Sequence, residues 1–65
     1  MIKFEGALIR KKYVGYAYIQ KAQEGWRLHV RFMNDNKEKD GIWFNYMSER
    51  EAYEKFDELE KLLNE

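Results

Sequence analysis

Ser48-Glu49-Arg50-Glu51-Ala52-Tyr53-Glu54-Lys55-Phe56-Asp57-Glu58-Leu59-Glu60-Lys61-Leu62-Leu63 is the stretch in which the chain changes period. Ser48 followed by Glu51 is a capping box, with a hydroxyl placed to accept from the N3 amide. Ala52, Phe56, Leu59 and Leu63 fall at spacings of four, three and four, which draws one narrow apolar stripe along a helix. Glu51 with Lys55 and Asp57 with Lys61 are i,i+4 pairs in the favourable orientation. A helix over 49–64 is therefore expected, a rod of ~24 Å. That length covers one face of a four-stranded sheet, ~19 Å wide at ~4.8 Å per strand.

Before Ser48 the period is two, in a composition rich in Tyr, Phe, Trp, Ile and Val. Trp26, Leu28, Val30 and Phe32 alternate with Arg27, His29, Arg31 and Met33, and Ile42 and Phe44 with Trp43 and Asn45. Near the N-terminus Ile2, Phe4 and Leu8 alternate with Lys3, Glu5 and Ile9. Between Tyr13 and Ala22, Ala17 and Ile19 take one side and Tyr16, Tyr18 and Gln20 the other. Strands are expected at about 2–10, 13–22, 25–33 and 42–47. Glu24-Gly25 and Asp40-Gly41 supply turn chemistry, and 34–41 reads as a polar hairpin loop. Gly15 reads as a bulge or as part of the first turn. Short connections favour antiparallel neighbours, so the expected fold is α+β: one domain over 1–65, a four-stranded antiparallel β-meander with one C-terminal helix on one face.

Length and composition bound the rest. A chain of 65 residues supports one thin core, and with no cysteine neither disulfides nor a thiolate zinc site supplements it. Apolar content of 45% against 37% charged marks a folded chain, not a disordered one. No apolar run approaches the length of a signal segment or membrane span, so the expectation is a soluble, cytoplasmic protein without membrane association.

One helix covers one face. With Ile2, Phe4, Leu8, Ala17, Ile19, Leu28, Val30, Phe32, Ile42 and Phe44 beneath it, the opposite face holds Ile9, Lys11, Tyr16, Tyr18, Arg27, His29, Arg31, Trp43 and Asn45. That face is aromatic and basic at once. Charge follows it: residues 1–47 carry nine Lys and Arg against five Asp and Glu, whereas 48–65 carry three against seven. Rings interleaved with cations suit single-stranded nucleic acid, where bases stack and phosphates seek Arg and Lys. The expected role is a non-enzymatic binding module, with Tyr16, Tyr18 and Trp43 for bases, Arg27, Arg31 and Lys11 for phosphates, and His29 as an accessory. The alternative is a protein-binding adaptor or inhibitor, docking through this face, a sheet edge or the acidic helix. A homodimer through the open face is a third reading. The same residues also read as cross-strand pairs that only stabilise a small sheet.

The residues Lys12-Tyr13-Val14-Gly15-Tyr16-Ala17-Tyr18-Ile19 resemble in texture the aromatic ribonucleoprotein strand of RNA-recognition-motif and cold-shock domains. They lack the glycine that follows the basic residue there, and the chain lacks the helix that separates the first two strands of an RNA-recognition motif. The resemblance implies a stacking strand and no family membership. Four strands followed by one helix are similar to the single-strand-binding transcription-cofactor architecture, which would imply a dimer.

Catalysis finds little footing. The chain has one His, one Ser and neither Thr nor Cys, and Ser48 is committed as a helix cap. His29 without Cys makes no typical zinc site. The run Asn36, Glu38, Asp40, Gly41 mimics the opening of an EF-hand, but its twelfth position is Met47 where a Glu is needed. No cofactor is expected.

Overall fold

The structure, a computed structural model, describes residues 1–35 and 37–65; Asn36, the first position of the EF-hand-like run, lies outside the described residues. In chain order the elements are β1 (Ile2–Phe4), β2 (Ala7–Ile9), a 3-10 turn (Lys11–Tyr13), β3 (Val14–Lys21), β4 (Trp26–Asn34), β5 (Lys37–Tyr46) and α1 (Glu49–Leu63). The class is α+β, with antiparallel pairing throughout and one C-terminal helix. The helix begins as its sequence directs: the Ser48 hydroxyl accepts from the Glu51 amide at 3.1 Å.

The four-stranded meander is corrected. A two-stranded sheet, β1-β2, stands apart from a three-stranded one of order β3-β4-β5. The expected first strand folds back on itself at Glu5-Gly6, which take φ of 50° and 80°. Left-handed backbone at both central positions is the geometry of the tightest hairpin turn, easy for glycine and uncommon for glutamate. The resulting register pairs Ile2 with Ile9 and Phe4 with Ala7. Parity inverts with the turn. Ile9, expected on the open face, is buried at 2% exposure, and Leu8, expected in the core, is 70% exposed.

The expected loop over 34–41 is also corrected: Asp35, at φ 54°, turns the chain, and β5 starts at Lys37. Asp40-Gly41 lies inside β5, where Val30 pairs with Ile42 but Phe32 pairs with Lys39. Two residues of β5 therefore oppose Arg31 alone, a β-bulge. A Cβ at Gly41 would lie 2.1 Å from the Val30 carbonyl oxygen, so the close backbone approach admits only glycine. A second bulge, at Gly15, sits between Val14 and Tyr16 on β3.

The core is Phe4, Ile9, Leu28, Val30, Tyr46, Ala52 and Leu59. Leu28 and Val30, from the middle of the central strand, and Leu59 from the helix are fully buried, each apolar side chain worth ~1.5–3 kcal/mol. Hairpin and helix share this inner face. Phe4 meets Phe44 edge to face at 5.4 Å, and α1 lies against β1, β3, β4 and β5. Glu5 ties them together, accepting from the Tyr46 hydroxyl at 3.1 Å and pairing with Lys55 Nζ at 3.1 Å. Among the described residues no helix is long and apolar enough to cross a membrane.

Candidate binding face

The outer face of the three-stranded sheet is set by the two-residue period of its strands. β3 contributes Tyr16, Tyr18 and Gln20; β4 contributes Arg31, His29 and Arg27; β5 contributes Trp43 and Asn45. The register runs Tyr18 to His29 to Trp43 across one rung and Gln20 to Arg27 to Asn45 across the next, with Tyr16 opposite Arg31. Tyr16, Tyr18 and Trp43 are 47%, 38% and 50% exposed.

These side chains hold one another. The Tyr18 and His29 rings stack at 4.7 Å with planes 11° apart, and Tyr16 lies 6.0 Å from Tyr18 with planes 20° apart. A ring separation equal to the strand spacing, with nearly parallel planes, means that the rings stand on edge and turn their faces to each other. The Arg27 guanidinium lies 4.5 Å from the centre of the Trp43 ring, a cation–π contact. The buried Nε of Arg27 has no hydrogen-bond partner among the described residues. Imidazole Nε2 of His29 donates to Gln20 Oε1 at 3.0 Å.

A second group forms at the bulged end. Glu38 Oε1 accepts from Arg31 Nε at 3.2 Å and from the Tyr16 hydroxyl at 2.5 Å. Hydrogen bonds from Tyr16 and then Arg31 hold the Glu38 carboxyl below its usual range. The bond to Glu38, followed by partial burial, pushes the Tyr16 phenol up. His29 is shifted the other way: burial, then the positive charges of Arg27 and Arg31, lower its pKa and keep it neutral.

Tyr16, Tyr18, Arg27, His29, Arg31 and Trp43 therefore converge on one uncovered surface. Lys11 does not join them. It lies in the 3-10 turn, and its Nζ donates to the Glu65 carbonyl beyond the end of the helix. Glu38 is the residue that reading the sequence missed. In an unbroken ladder its parity would send it to the inner face; the Asp40-Gly41 bulge brings it to the outer one. The available signal was a glycine amid strand-like residues, which marks a bulge as readily as a turn.

Among the described residues no group of three or more His, Cys, Asp or Glu is placed to hold a metal ion. No family model, curated protein or solved structure matches the chain.

Proposed function

We propose that the protein is a non-enzymatic binding module whose working surface is the outer face of the three-stranded sheet, and that its partner is a protein. The observation that carries this reading is the mutual support of the exposed side chains: Tyr16, Tyr18 and His29 ring to ring, and Arg27 on Trp43. Tyr, Trp and Arg are the residues that dominate protein–protein hot spots. Side chains ordered before the partner arrives lose less entropy on docking.

The same geometry weighs against single-stranded nucleic acid. Bases need uncovered ring faces, but Tyr18 and His29 face each other and one face of Trp43 carries Arg27. A phosphate approaching Arg31 meets the Glu38 carboxylate already there.

A single experiment separates the readings. Wild-type protein and the Tyr18→Ala/Trp43→Ala variant, both checked for folding by circular dichroism, are immobilised and exposed to nuclease-treated lysate. In parallel each is titrated with a deoxythymidine oligonucleotide at low and physiological salt. The expected outcome is a protein retained by the wild type and lost by the variant, with no saturable oligonucleotide binding at physiological salt. Oligonucleotide binding that disappears in the variant would transfer the face to nucleic acid. Identical capture by both proteins would remove the face from the function.

A further inference from the structure

We propose that the groove between the N-terminal hairpin and the end of the β4–β5 hairpin binds a small aliphatic carboxylate. The cavity is about 320 Å³ and is walled by Leu8, Ile9, Phe32, Met33 and Tyr13, with Arg10, Lys39 and Asn34 also at its surface. None of the six converging outer-face residues lines it, and the inference stands apart from the partner reading above.

Two departures from simple strand geometry build this groove. The Glu5-Gly6 turn inverts the parity of β2, so Ile9 faces inward and Arg10 follows it at the strand end. The Asp40-Gly41 bulge inverts the parity of β5, so Lys39 pairs directly with Phe32 and shares its inward face. An unbroken ladder would have sent Lys39 to the outer side. The result is a mostly apolar hollow with two cations and an amide at its margin.

Among the described residues those cations have no protein anion. The side chains of Arg10 and Lys39 make no ion pair or hydrogen bond among the described residues, whereas Arg31, Arg50 and Lys55 all do. Lys12, 5.2 Å over the Tyr13 ring, adds to the positive field nearby. A carboxylate satisfies Arg10 and Lys39 together, with the Asn34 amide as a further donor. An aliphatic tail then covers the half-buried Phe32 and Met33 and the exposed Leu8. The volume lies at the lower end of ligand cavities, ~300–1,000 Å³, which fits a body the size of a medium-chain acid.

The test is titration of isotope-labelled protein with octanoate, followed by NMR. Saturable shifts should appear at Leu8, Ile9, Tyr13, Phe32 and Met33. Octanol, with the tail but no charge, and acetate, with the charge but no tail, should each bind roughly tenfold more weakly. The Arg10→Gln/Lys39→Gln variant, altered only at exposed positions, should lose the preference for octanoate over octanol, while Trp43→Ala should bind octanoate unchanged. Four results would overturn the proposal: no saturable octanoate binding, equal affinity for octanol, indifference to Arg10→Gln/Lys39→Gln, or displacement of octanoate at lower concentration by a peptide ending in a leucine carboxylate. The last would give the groove to a polypeptide terminus.

Discussion

Arg31 and Glu38 meet, Nε to Oε1 at 3.2 Å, because β5 carries one residue more than β4 along the intervening ladder. The extra residue belongs to the Asp40-Gly41 bulge, and the bulge depends on the absence of a side chain at residue 41. Outer-face chemistry and backbone geometry are thus one feature.

Gly41→Ala tests that dependence. The added methyl would sit 2.1 Å from the Val30 carbonyl oxygen, so β4 and β5 must separate or lose their register. A stability loss of ~2 kcal/mol or more is expected in urea unfolding. The Tyr16 phenol should also ionise closer to its ordinary 10.0, because Glu38 leaves it. Unchanged stability with an unchanged Tyr16 titration would mean the bulge accepts a side chain.

Glu38→Gln separates the carboxylate from the backbone. Being exposed, its pair with Arg31 contributes little to stability. The pH signature is more informative. Glu38 has a folded pKa below its ordinary 4.5, so its contribution is present above that value and is lost as the pH falls through the lower folded one. The variant should lack this part of the acid loss, and its Tyr16 ionisation should move down, as read by ultraviolet titration.

His29 gives a second pH window. Unfolded, it takes up a proton near 6.5; folded, burial and then Arg27 and Arg31 keep it neutral to lower pH. Tyr18 and Gln20 are its neutral neighbours. Between the two values the unfolded chain binds more protons, so stability falls as the pH is lowered from about 6.5 and levels off below the folded value. His29→Gln should flatten that window in urea midpoints measured across it. An unchanged slope would assign the loss to other groups.

Tyr46→Phe probes the join of hairpin, sheet and helix. The Tyr46 ring is buried and its hydroxyl bonds to Glu5, which also holds Lys55. Burial, then the bond to Glu5, pushes the phenol far above its ordinary range, so it stays protonated at any working pH. Loss of the hydroxyl should cost ~1 kcal/mol in thermal or urea unfolding. Glu5→Gly should lose this contact and the Lys55 pair but relieve the left-handed backbone, giving a smaller net loss than Glu5→Ala.

The helix was legible because Ser48, Glu51 and the Ala52–Leu63 stripe agree with one another. Leu28 and Val30 were legible because their alternation is unbroken. Glu5-Gly6 was not, since glutamate seldom takes left-handed backbone and so gives no turn signal. Asp40-Gly41 carries a signal with two meanings, turn or bulge, and the Val30 carbonyl that decides between them is remote in sequence. The aromatic face followed from local period alone. The placement of Lys11 depended on where the helix ends in space, which no local pattern encodes.

The two bulges oppose the same short stretch of the central strand: Gly15 on β3 and Asp40-Gly41 on β5 both break their ladders around Arg31 and Phe32. Neither neighbour can therefore creep along β4 by a single step without dragging its kink past a rung shaped for it. Sliding would also turn Ala17 and Ile19 of β3, or Ile42 and Phe44 of β5, away from the core. A sheet of only three strands is thereby indexed from both flanks, like a bolt notched on opposite sides, and that indexing keeps the outward rings in step across it.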